Sequence, residues 1–247
     1  MKYLIDLDGT LMDQTKPNLD AVEFISELRL RKTDFRIMTN SIKSPGVIAE
    51  RLNNAGMAVA ADHILNPITA INSFLDNNGV KSAYIVGSVS EIEQVNVRHS
   101  DHDPEYVALL DFEKNNTTYD ELQRIFVLIQ KGVPVISASG SLFYFKDSGK
   151  YLDTGSFVNL LERAAGIEIR ILGKPSREYF QAGLHSLKAN CQEVTVIGDD
   201  WNTDIQGATN ASCFAILVRS GKYQPGDELK CKPTRVVNTL MEIINSA

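Results

Sequence analysis

An apolar run that ends in two acids separated by one residue, Leu4-Ile5-Asp6-Leu7-Asp8-Gly9-Thr10-Leu11, constrains this chain more than any other stretch. The run reads as a buried strand, and Gly9 permits the chain to turn immediately after it. A strand end carrying paired carboxylates can hold a divalent cation, and one acid can attack an electrophile while the other handles protons. Asp-Gly is also a common surface-turn dipeptide, so the octet alone leaves both readings open.

Three later stretches bear on the choice. Phe35-Arg36-Ile37-Met38 is a second strand, and it ends at the hydrogen-bonding side chains of Thr39, Asn40 and Ser41. Val194-Thr195-Val196-Ile197 is another, followed by Gly198-Asp199-Asp200-Trp201-Asn202-Thr203-Asp204. Three carboxylates within six positions repel one another, a cost tolerated mostly where a cation neutralises it. Ile169 to Leu172 form an apolar strand that leads into Gly173-Lys174-Pro175-Ser176, ahead of Tyr179, Phe180, Leu184 and Leu187 at helical spacing. An anion at that helix entrance would meet the Lys174 ammonium and the free amides, although most lysines simply face solvent.

The order of elements predicts how these stretches meet. Asn18 is a good N-cap for a helix carrying Leu19, Val22, Ile25 and Leu28, and Ser44-Pro45 opens a second helix that stops at Gly56. The resulting β-α-β-α order begins a Rossmann-like, doubly wound α/β fold with a parallel sheet. Ligands of such sheets sit at the carboxyl ends of the strands, so Asp6/Asp8, Thr39/Asn40, Lys174 and Asp199/Asp204 should share one edge. From Pro67 the alternation restarts, with strands at Ser82–Gly87, Tyr106–Leu110 and Val133–Ala138 and helices at Thr117–Lys131 and Phe157–Ala165, enough for a second small α/β unit.

Composition narrows the classes. A net charge of −6 over 247 residues argues against nucleic acid as a main partner. Cys191, Cys213 and Cys231 show no paired metal spacing and read as reduced buried thiols, consistent with a cytoplasmic protein. No apolar run reaches membrane-spanning length, and nothing resembles a leader, so no membrane partner is expected. His99-Ser100-Asp101-His102-Asp103 is better read as a solvated loop than as a metal site, and Trp201 would either shield the acids beside it or simply pack.

The combination of D-x-D-G-T at Asp6 to Thr10, strand-terminal Thr39-Asn40, Gly173-Lys174-Pro175 and G-D-x-x-x-x-D at Gly198 to Asp204 resembles the haloacid dehalogenase-like superfamily. It looks most like the NagD-type phosphatase branch, in which Thr203-Asp204-Ile205 also has a counterpart. The resemblance implies a catalytic core at residues 1–66 and 171–247 and an inserted α/β cap domain at 67–170. It implies Asp6 as a nucleophile that forms an aspartyl-phosphate and Asp8 as the acid and base. Thr39, Asn40 and Lys174 would bind the phosphoryl group. Mg²⁺ would be held by Asp199, Asp6 and the main-chain carbonyl of Asp8, with Asp204 supporting the metal or Lys174. Asp200 falls at a variable position and receives no role.

The expectation is therefore an Mg²⁺-dependent phosphatase acting on a small phosphorylated metabolite, with pairing of two copies through the cap implied by the branch. A second acid and a metal site would be superfluous for halide displacement, which needs no proton for its leaving group. A phosphomutase on the same core, or a non-catalytic protein responsive to Mg²⁺ or phosphate, stands as the alternative. Where the branch shows an acid after the last apolar strand of the cap, this chain has Ser137-Ala138-Ser139-Gly140-Ser141, which leaves the substrate open.

Overall fold

A computed structural model describes residues 1–112, 117–146 and 149–245. The chain divides into two compact units, one of Met1–Thr39, Lys43–Asn66 and Lys174–Ala247 and the other of Asn40–Ile42 and Pro67–Gly173. The first is built on a six-stranded parallel sheet, ordered Arg235–Val237, Phe214–Val218, Val194–Gly198, Lys2–Asp6, Phe35–Met38, Ile64–Leu65. The N-terminal strand lies centrally because it is apolar on both faces; Leu4 and Ile5 are fully buried, each worth about 1.5–3 kcal/mol of transfer free energy.

Strand order reverses on either side of Lys2–Asp6, since Phe35–Met38 pairs on one flank and Val194–Gly198 on the other. That reversal opens a crevice at the carboxyl ends, the usual place for a ligand in such sheets. Register sets what lines it. Ile5 pairs with both Ile197 and Ile37, and Asp6 with Met38, so Asp6, Thr39 and Asp199 emerge at adjacent strand ends.

Several local expectations need correction. The first helix is Ala21–Leu30, entered through Asp20, and Leu19 is exposed. Asn18 does not cap it. Its amide donates to the carbonyls of Gly9 and Thr10 at 2.7 and 2.9 Å, tying down the turn after the two acids. The expected cap holds at Pro45–Asn54, where Ser44 Oγ accepts from the Val47 amide at 3.5 Å and proline occupies the first turn. The three cysteines are free and half-buried rather than buried.

The helix Arg177–Ser186 begins at Ser176, whose hydroxyl accepts from the Tyr179 amide at 3.3 Å. It places the wholly buried Tyr179 under two strand ends. The Tyr179 hydroxyl lies 2.8 Å from the Thr39 carbonyl and 2.6 Å from that of Leu65. Burial drives the Tyr179 pKa far above that of an ordinary phenol, so it stays a donor.

The second unit has its own parallel sheet of five strands, ordered Arg170–Ile171, Val135–Ser137, Tyr106–Leu109, Ser82–Val86, Arg98–His99. The helices Tyr119–Gln130 and Thr154–Ala165 cover it through Ile125, Leu128, Ile129, Val158 and Leu161. An antiparallel hairpin, Phe143–Lys146 with Gly149–Leu152, completes it. Among the described residues, no helix is long and apolar enough to cross a membrane.

Because the Tyr179 hydroxyl satisfies buried carbonyls at two strand ends, Tyr179→Phe should lower unfolding stability by about 1–3 kcal/mol, read by urea denaturation.

Candidate active site

Lys174, the first residue after the inserted unit, is buried rather than solvent-facing. Its ammonium donates to Asp6 Oδ1 in a short ion pair, to Asp204 Oδ1 at 2.8 Å and to the Met38 carbonyl at 3.4 Å. Asp6, Asp199 and Asp204 converge so that one oxygen from each lies within 4.8 Å of the others, and all three are buried.

The acids are held from several directions. Asp199 Oδ1 accepts from the Thr10 hydroxyl at 2.9 Å, and Oδ2 from the Lys222 amide at 2.7 Å. Asp204 Oδ2 accepts from the Asp200 amide at 3.1 Å. Asp204 lies in the π-helical turn Trp201–Ile205, which Asp200 opens by accepting from the Asn202 amide at 2.9 Å. Asp200 also pairs with the Lys222 ammonium at 3.1 Å, so it joins two loops and stands apart from the acidic cluster. The Trp201 ring faces the Lys230 ammonium at 5.1 Å.

Burial, followed by Lys174 in the opposite sense and by repulsion from Asp199, sets Asp6, whose pKa is pushed up to about 7. Burial and then Asp204 raise Asp199 to about 6, while burial and then Asp6 raise Asp204 to about 7. Burial alone would depress the Lys174 pKa. Asp204 and Asp6 outweigh it and keep the ammonium protonated. Three carboxylates thus face one cation, and Asp6 Oδ2 is buried with no hydrogen-bond partner. An orphaned oxygen beside two further hard oxygen donors, with negative charge in excess, fits a divalent metal ion.

Asp8 differs sharply from Asp6. Its carboxylate is half-exposed, accepts from Arg51 Nη2 at 2.9 Å and lies 3.5 Å from the Thr39 hydroxyl. The carboxylate stands outside the buried cluster, so any part for Asp8 at the metal falls to its main chain. Thr39 is buried in the sheet unit, whereas Asn40 belongs to the second unit.

The sequence reading missed a further segment, Ser220-Gly221-Lys222. The Ser220 hydroxyl donates to the Gly9 carbonyl at 2.7 Å. A Cβ on Gly221, whose φ is +50°, would fall 2.2 Å from Asp199 Oδ2 and 2.5 Å from Gly9 Cα. Gly9 itself has φ +105°, and a Cβ there would meet Asp199 Oδ2 at 2.3 Å. These two glycines let two turns close on one carboxylate. In sequence the signal was only a Ser-Gly pair after the strand Phe214–Val218.

Comparisons with known proteins identify the family and the fold. The family model for haloacid dehalogenase-like hydrolases matches residues 3–98, and a related HAD-hydrolase-like model matches residues 171–243. The mouse phospholysine phosphohistidine inorganic pyrophosphate phosphatase is 30% identical over 234 residues, covering 91% of this chain and 85% of the relative. The mouse haloacid dehalogenase-like hydrolase domain-containing protein 2 is 29% identical over 231 residues, covering 93% and 88%. In structure, the chain superposes on a p-nitrophenyl phosphatase from Archaeoglobus fulgidus with a TM-score of 0.91 at 21% identity, covering 100% of this chain and 98% of that one. It superposes on NagD from E. coli K-12 with a TM-score of 0.90 at 23% identity, covering 98% and 97%. The chain belongs to the haloacid dehalogenase-like hydrolase family. Its fold, a doubly wound core with an inserted α/β unit, is that of the NagD-type members.

Removing the Lys174 ammonium leaves Asp6 and Asp204 without the cation that bridges them. Lys174→Met should therefore lose about 3–5 kcal/mol of unfolding stability in metal-free buffer, measured by chemical denaturation.

Proposed function

We propose that this hydrolase is an Mg²⁺-dependent phosphatase of small phosphorylated metabolites, working through an aspartyl-phosphate on Asp6. The observation that carries the reading is the buried constellation in which Lys174 bridges Asp6 and Asp204 while one Asp6 oxygen lacks any donor. Names of relatives and structural neighbours point the same way, since several are phosphatases.

Asp6 would attack phosphorus as the bond to the leaving oxygen breaks. The electron pair goes to that oxygen, which takes a proton from Asp8. In the second step water attacks the same phosphorus, Asp8 accepts a water proton, and inorganic phosphate leaves with the Asp6 carboxylate restored. Lys174 holds Asp6 oriented and offsets phosphoryl charge, with Thr39 and Asn40 as further phosphoryl donors. Asp6, Asp199, Asp204 and the Asp8 main-chain carbonyl would hold Mg²⁺, which supplies charge neutralisation for the phosphoryl oxygens. The inserted unit, at about residues 67–170, would act as a cap that excludes bulk water and selects the leaving group.

Two results test the reading. Phosphate release from p-nitrophenyl phosphate should require Mg²⁺, vanish on chelation and fall about a thousandfold or more in Asp6→Asn; full activity in that variant would end the assignment. Gly221→Ala, which forces the Asp199 carboxylate aside, should weaken Mg²⁺ binding by about tenfold or more, read by titration calorimetry without substrate.

A further inference from the structure

Arg51 stands in the last turn of the helix Pro45–Asn54, a part of the chain that carries none of the residues given a role above. Its Nη2 reaches Asp8 Oδ1 at 2.9 Å and also donates to the Gln14 carbonyl in a short contact. A guanidinium carries five N–H donors, and these two contacts use only Nη2. Among the described residues, Nε and Nη1 donate to nothing, and the side chain is 31% exposed beside an Asp8 that is 49% exposed.

That position has a chemical consequence, which rests on Asp8 being the acid that protonates the leaving oxygen. The leaving group must then pass within hydrogen-bond reach of Asp8, and so beside a guanidinium with three open donors. A neutral leaving group leaves those donors to solvent. One that bears a carboxylate or a second phosphate can accept one of them in a charge-assisted hydrogen bond. We infer that Arg51 forms a subsite for anionic leaving groups, and that the substrates are phosphoanhydrides or phosphomonoesters whose alcohol carries a negative charge.

Pyrophosphate and p-nitrophenyl phosphate separate the charge of the leaving group from its basicity, because orthophosphate and p-nitrophenolate are leaving groups of similar acidity. Steady-state kinetics with Mg²⁺ should show wild-type enzyme turning over both. In Arg51→Ala the ratio of kcat/KM for pyrophosphate to that for p-nitrophenyl phosphate should fall about tenfold or more, mostly through KM. Arg51→Lys should restore part of the ratio, since it keeps the charge and loses the planar set of donors. If both substrates lose activity in proportion, Arg51 acts only through Asp8 or through the fold, and the subsite is refuted. An unchanged ratio, or a wild-type enzyme active on the aryl ester alone, refutes it too while leaving the phosphatase reading intact. No turnover of either substrate sinks that reading instead. Should Arg51→Ala fail to fold, as judged by its thermal transition, Arg51→Gln and Arg51→Lys decide by the same ratio.

Discussion

A buried ammonium ion, pinned between two carboxylates, is the interaction on which this molecule turns. Desolvating Lys174, Asp6 and Asp204 is expensive, and it is offset only because Lys174 reaches both acids and the Met38 carbonyl. The arrangement fixes the strand end of Lys2–Asp6 against the π-helical turn at Trp201–Ile205. It also leaves Asp199 and one oxygen of Asp6 without a cation of their own, so the same contacts that hold the fold create a place for a metal.

The two acids of the opening octet are two residues apart and chemically unlike. Asp6 lies under the sheet edge, where burial carries its pKa to about 7 in the absence of a metal; Asp8 has turned out toward solvent and Arg51. Divergent environments let neighbouring carboxylates do different chemistry. The divergence is produced by the turn at Gly9, which the Asn18 amide and the Ser220 hydroxyl both secure through the Gly9 carbonyl.

Much of this was legible in the sequence, and the limits have physical causes. Apolar strands ending in acids, threonine or a lysine gave the parallel sheet and brought Asp6, Lys174, Asp199 and Asp204 to one cluster, because strand hydrophobicity and chain order are local signals. Lys174 read equally as a surface residue, since burial of an ammonium depends on partners 168 and 30 residues away. Asn18 looked like a helix cap because its amide and carboxamide chemistry suits both uses, and only the neighbouring turn decides between them. Gly221 escaped notice for a related reason: its need for a missing side chain comes from Asp199 and Gly9, which no local pattern around 221 announces. Arg51 carries no signal in its helix beyond an ordinary exposed cation.

The central place of the first strand has a bearing on how the chain reaches this state. Lys2–Asp6 pairs on one flank with Phe35–Met38, close in the chain, and on the other with the distant Val194–Gly198. During synthesis the strand carrying Tyr3, Leu4 and Ile5 therefore keeps one edge unpaired until Val194–Gly198 has emerged. The sheet therefore closes through a contact of long sequence separation, a feature that slows folding.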